Sequence, residues 1–143
     1  MTFINPDKQL TERDIAAAEN VLELIFPNPL RSFFLENNGA DPEPYVFKSA
    51  TLHTVVNETL PLISDTGRGT AIESYNKLVI EKKITPKNFF PFAVDPGGDY
   101  FFVDCDDSAA AVYFFRSESA TDQLEKIADS LGEFWDALQT EEK

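Results

Sequence analysis

From Ile15 the chain places apolar side chains at steps of three and four residues, through Ala18, Leu22 and Ile25. That spacing predicts one buried stripe of an amphipathic helix. Thr11 can cap its start, and Asp14 puts negative charge in its first turn. Pro27 is expected to stop it. A second helix follows, with Asn28 as N-cap, Pro29 at the first helical position and Leu30, Phe33 and Phe34 on its buried side. Asn37-Asn38-Gly39 ends it, with Gly39 free to take positive φ. Thr70-Ala71-Ile72-Glu73 has the form of a capping box, opening a third helix to about Lys82. Leu124, Ile127, Leu131, Phe134 and Leu138, with Trp135 beside them, predict a terminal amphipathic helix whose polar side carries Asp122, Glu125, Asp129, Glu133 and Asp136.

Between these helices the pattern changes. Residues 45–63 are mixed and β-rich, after a turn at Asp41-Pro42-Glu43-Pro44. The clearest strand signals are Phe89 to Val94, Tyr100 to Cys105 and Val112 to Phe115. They are apolar at successive positions rather than alternately, so both faces of their sheet should be covered, by helices or by another chain. Asp95-Pro96-Gly97-Gly98-Asp99 joins the first two, and Pro96 followed by Gly97 suits a type II turn. Helices flank the β segments instead of alternating with them, which indicates an α+β fold. The expected organisation is a leader of little buried content (1–10), one domain (11–138) and a short tail (139–143).

Charge narrows the function. The chain has 143 residues with 25 acidic and 12 basic side chains, a formal net charge of −13. Residues 1–94 carry −3 of this and residues 95–143 carry −10. Such a surface is repelled by phosphate backbones and anionic membranes, so nucleic acid and membrane are disfavoured as partners. A basic protein is allowed, and the field would steer it in. One cysteine, Cys105, permits no internal disulfide and suits a reducing compartment. No apolar run approaches the length of a membrane span, and the first residues lack the flank and apolar core of a signal peptide. A cytoplasmic protein is expected.

Motifs for chemistry are missing or weak. Cys105 and the single His53 could form a nucleophilic pair only by meeting in space. Cys105 lies in an apolar strand, where cysteine usually serves as a small hydrophobe. Asp104, Asp106 and Asp107 cluster after a strand without the spacing of a calcium loop. Gly67-Arg68-Gly69-Thr70 lacks the Lys-Ser/Thr of a phosphate-binding loop. No catalytic residue, metal site or cofactor is expected. The aromatic clusters Phe89-Phe90-Pro91-Phe92, Tyr100-Phe101-Phe102 and Tyr113-Phe114-Phe115 suit core packing, with a part left for a ligand groove or an oligomer interface.

The ordered set of motifs resembles the SUKH superfamily. Phe26-Pro27-Asn28-Pro29-Leu30-Arg31-Ser32-Phe33-Phe34-Leu35-Glu36-Asn37-Asn38-Gly39 is similar to its helix ending in Asn-Gly. Phe90 to Asp104 is similar to its Pro-Phe-Ala hairpin with paired glycines, Val112 to Phe115 to the next strand, and Ile127 to Trp135 to the closing helix. Gly39-Ala40 stands where the family often has two glycines, and residues 45–85 match little. The resemblance implies a curved, largely antiparallel sheet flanked by N-terminal and C-terminal helices. It also implies a non-enzymatic protein: many bacterial members are immunity proteins that bind a cognate toxin, often a nuclease, and others are interaction modules.

The charge and the resemblance together point to an immunity-type protein that neutralises a cationic nuclease toxin. A housekeeping interaction or regulatory module, and then a hydrolase, are the alternatives. Asp95, Asp99, Asp104, Asp106 and Asp107 are the candidate steering residues, with Tyr100 as an anchor. Asn38, Gly39, Gly97 and Gly98 are expected to shape the backbone. The doubly apolar strands also make a homodimer an option.

Overall fold

The computed structural model describes residues 1–121 and 123–141. Asp122, expected on the acidic side of the last helix, and Glu142-Lys143 of the tail lie outside the described residues. In chain order the elements are β1 (Thr2–Ile4), α1 (Glu12–Leu22), α2 (Asn28–Asn37), β2 (Asp41–Glu43), β3 (Val46–Lys48), β4 (His53–Val55), β5 (Glu58–Thr59) and α3 (Ala71–Tyr75). A π-helical stretch, Asn76–Glu81, continues α3. Then follow β6 (Phe89–Val94), β7 (Tyr100–Asp104), β8 (Val112–Phe115), β9 (Leu124–Ala128) and α4 (Leu131–Ala137). β5 to β9 form an open antiparallel sheet in sequence order, and β1–β2 and β3–β4 are separate antiparallel pairs. The fold is α+β in one domain.

Helix starts follow local chemistry closely. Thr11 and Asp14 form a reciprocal capping box on α1, and Thr70 and Glu73 form another on α3. Helix ends follow it less. α1 stops at Leu22 because Glu23 adopts a left-handed conformation, φ 55° and ψ 44°, well before Pro27. Ile25 is therefore off the helix and 73% exposed, and Phe26 turns into the core instead. In α2 Asn28 is the first helical residue and not the cap; Pro27 holds the cap position without a side-chain bond, and its carbonyl accepts from both Leu30 and Arg31 N–H.

The segment expected to form one long terminal helix is divided. Leu124 to Ala128 form β9, paired with β8, and only Leu131 to Ala137 are helical. The free edge of β8 offers a ladder of backbone bonds that an isolated helix turn cannot match, and Ser130 caps the shorter helix through Glu133 N–H. Ile127-Ala128, likened above to the start of the closing helix, are strand residues.

One further expectation is corrected: Asp41 to Glu43 is strand β2, paired with β1, rather than a turn. Within the first ten residues Leu10 is 3% exposed, and Phe3 packs edge-on against Phe33 and Trp135.

The central sheet is aromatic on both faces. On one face Phe90, Phe92, Phe101 and Phe114 meet Phe26 and Phe34 from the α1–α2 region and Phe134 and Trp135 from α4. A bulge at Phe92 breaks the β6–β7 register, so Phe92 and Ala93 oppose Phe101. Pro91, which has no N–H to give, sits beside that bulge, where strands tolerate proline. On the other face Phe89 stands edge-on to Tyr113, with ring centres 4.9 Å apart. Phe102 on this face is fully buried within the single chain, so its cover needs no second copy.

Candidate functional site

The Asp95–Asp99 turn shows how its sequence sets its shape. Gly98 N–H donates to Asp95 C=O, and Asp95 N–H to Asp99 C=O. Gly98, not Gly97, takes positive φ, at 90°. This is a turn with glycine at the bulge position after it, in place of the type II turn expected from Pro96-Gly97. Asp95 holds it: one carboxylate oxygen accepts from Gly97 and Asp99 N–H, and the other from Thr54 Oγ1 at 2.9 Å. Asp99 accepts from Ser117 N–H and Oγ.

Asp104, Asp106 and Asp107 lie at the opposite end of β7. Four residue steps separate Tyr100 from Asp104, roughly 14 Å of strand. The six residues singled out from sequence thus form two groups, one at each end of the strand. Asp104 accepts from Asn88 Nδ2 and Asp106 N–H, and Asp107 from Ala109 and Ala111 N–H. Asp106 is exposed and makes no side-chain hydrogen bond among the described residues. Tyr100 is half-buried, its ring centre 6.5 Å from that of Phe102.

The loop after β7 abuts α4, since Leu131 N–H donates to Ala109 C=O. It therefore adds its charge to Asp129, Glu133 and Asp136, all exposed. Lys126 pairs with Asp129 at 2.9 Å, and this contact raises the lysine's pKa, with smaller contributions from Tyr113 and Asp107.

Backbone shaping is concentrated around Asn38 and Gly39. Asn38 is 3% exposed; its Oδ1 accepts from Leu62 N–H, and its Nδ2 donates to Lys8 and Ile63 C=O. Gly39 has φ 70°, and a Cβ there would stand 2.9 Å from Pro61 Cβ. Arg68 donates to Gly39 and Thr59 C=O and pairs with Glu58. The Gly67–Gly69 loop thus delivers an arginine staple.

Asp7 completes this region. It accepts from Lys8 and Asp65 N–H and from Ser64 and Thr66 hydroxyls. Burial alone would raise its pKa, but these bonds outweigh it and hold the carboxyl far below the usual range. Glu19 has a similar part at the α1–α2 corner, accepting from Phe26 N–H and pairing with Arg31. Sequence reasoning passed over both acids, because their partners are distant in the chain or are backbone groups.

Cys105 and His53 stand in different surroundings. Cys105 follows β7, and burial, with Asp104, Asp106 and Glu19 nearby, pushes its thiol well above the usual range. That is the reverse of what a nucleophile needs. His53 sits across from Lys48 in the β3–β4 pair and lines a shallow hollow with Gln139 and Glu141. Among the described residues no group of three or more His, Cys, Asp or Glu side chains could hold a metal ion. No helix is long and apolar enough to cross a membrane, again among the described residues.

A groove runs between α2 and α4, lined by Phe3, Phe33, Trp135, Leu131, Gly132 and Glu36 among others. The profile of the SMI1 / KNR4 family (SUKH-1) matches residues 9–137, about nine-tenths of the chain. The chain belongs to this family. A SUKH domain is known for immunity and regulatory roles and is generally non-enzymatic. The match spans all four α-helices and the glycine turn, and it includes the middle segment where motif resemblance is slight. A comparison with curated proteins found no significant match.

Proposed function

We propose that this SUKH-1 protein is an immunity-type binder that neutralises a cognate cationic toxin, most readily a nuclease, by covering its working surface. The observation that carries this reading is uncompensated charge. In residues 95–141 the cations are Arg116 and Lys126, and they are already paired, with Glu125 and with Asp129. Asp106, Glu118, Glu133, Asp136 and Glu141 are exposed with no cation partner among the described residues.

A nuclease must be cationic to hold a polyanion, so its substrate surface complements such a field. Steering of this kind raises association to about 10⁸–10⁹ M⁻¹s⁻¹ at low salt. Retention needs buried anchors, for which half-buried Tyr100 is one candidate. The hydrogen bonds of Asp95, Asp99, Asp104 and Asp107 make them turn-formers that also contribute field, which leaves Asp106 as the freest of the five to touch a partner.

Co-expression with the toxin encoded beside this gene tests the proposal. Rescue of growth and recovery of a stoichiometric complex are expected. Absence of both, across every adjacent toxin, would overturn it.

A further inference from the structure

The groove between α2 and α4 combines three properties. First, it is aromatic. Phe33 and Trp135, both buried, stack with ring centres 5.0 Å apart at its base, and half-buried Phe3 stands edge-on to both. Second, the groove carries a carboxylate. Glu36 lines it, is exposed and has no cation partner among the described residues. Ser32 and Asn37 add polar atoms, and no lysine or arginine lines it. Third, it is open at Gly132, where an added Cβ would meet only Ser130 Oγ, at 3.9 Å. Its volume is about 190 Å³, on the scale of one long side chain.

We propose that this groove receives an arginine side chain from the protein partner. Half-buried Phe3 gives the groove ring surface that attracts a guanidinium through its quadrupole, and a guanidinium's planar shape lets it lie flat there as an ammonium cannot. The apolar walls suit the three-carbon stem, and Glu36 can accept the N–H fork. Charge complementarity selects this occupant over an apolar side chain: the groove's one ionisable lining residue is acidic, and α4 carries exposed Glu133 and Asp136. Arginine is also a side chain that a nucleic-acid-binding surface has in abundance. The inference rests on the reading of the chain as a binder of cationic protein, but its test needs no toxin, so the two can fail separately.

Trp135 is the single tryptophan, so its fluorescence reports on the groove directly. The experiment titrates the full chain with an end-blocked Gly-Arg-Gly peptide at about 0.15 M salt, where long-range attraction is screened. Gly-Lys-Gly and Gly-Leu-Gly serve as comparisons. A saturable change with a dissociation constant on the order of millimolar is expected for the arginine peptide, with weaker binding of the other two. Gly132→Leu should fill the groove and lower affinity about tenfold or more, a loss of roughly 1.4 kcal/mol. Leucine is a better helix former than glycine, so thermal melting should be unchanged or higher and the variant remains interpretable. Glu36→Gln should weaken arginine binding severalfold and leave leucine binding alone.

No saturable signal, equal or tighter binding of the lysine or leucine peptide, or undiminished binding by Gly132→Leu would each overturn the proposal. So would a concentration-dependent Trp135 signal without peptide, accompanied by dimer in sedimentation, because the groove would then seat a second copy of the chain.

Discussion

Gly39 and Asp7 show how single residues fix this fold. Gly39 combines positive φ with a 2.9 Å approach of its virtual Cβ to Pro61, so alanine there meets both strain and overlap. Gly39→Ala should destabilise by about 2–4 kcal/mol in urea unfolding. The Asn-Gly pair was legible from sequence as a helix end, but its neighbours Pro61 and Arg68 were not, since nothing local encodes them. Asp7 makes a different prediction. Its folded pKa is depressed, so its contribution is full above the unfolded value near 3.9 and is lost as pH falls from there toward the folded value. Wild-type stability should therefore fall between about pH 5 and pH 2, and Asp7→Ala should flatten that fall. At neutral pH the same variant should lose about 2–3 kcal/mol, because four donors lose a charged acceptor. An unchanged acid profile would remove Asp7 from this role.

Capping boxes were the most readable elements. Thr11 with Asp14 and Thr70 with Glu73 carry their meaning within four residues, and each cap forms as written. Thr70→Ala should cost about 1 kcal/mol. The terminal segment was misread for the opposite reason. Leu124, Ile127, Leu131, Phe134 and Leu138 satisfy a helical period, yet β8 claims the first part through a non-local ladder that periodicity cannot register. Backbone chemical shifts and slow amide exchange over residues 124–128 should report a paired strand; helical shifts there would contradict the fold. Ile25 failed on a single conformation, the left-handed Glu23, which side-chain spacing does not reveal. The short α4 still matters. Phe134 touches Phe47, Phe92, Phe101 and Trp135, and Phe134→Ala should cost about 3–5 kcal/mol.

At the scale of the molecule, the acidic skew was plain in the sequence, but its distribution was not. The aspartates around β7 are close in the chain. A strand of extended backbone separates them, and four of the five are occupied in holding turns. Three of the exposed acids without a cation partner among the described residues are Asp106, on the loop after β7, and Glu133 and Asp136, on the α4 helix that this loop meets at Leu131. The aromatic excess was rightly assigned in the main to the core, and the sheet's second face, which suggested a dimer, buries Phe102 within one chain. Phe33 and Trp135 belong to that core too, and with half-buried Phe3 they floor the α2–α4 groove.

Function by surface charge is tested most directly by the rate at which this protein captures the toxin encoded beside it, measured by stopped flow from low to physiological salt. The wild-type rate should be fast at low salt and fall steeply as salt rises, while Asp106→Asn/Glu133→Gln/Asp136→Asn should be slower and nearly flat. A complex whose rate is indifferent to both salt and these charges, or no complex at all, would contradict the account.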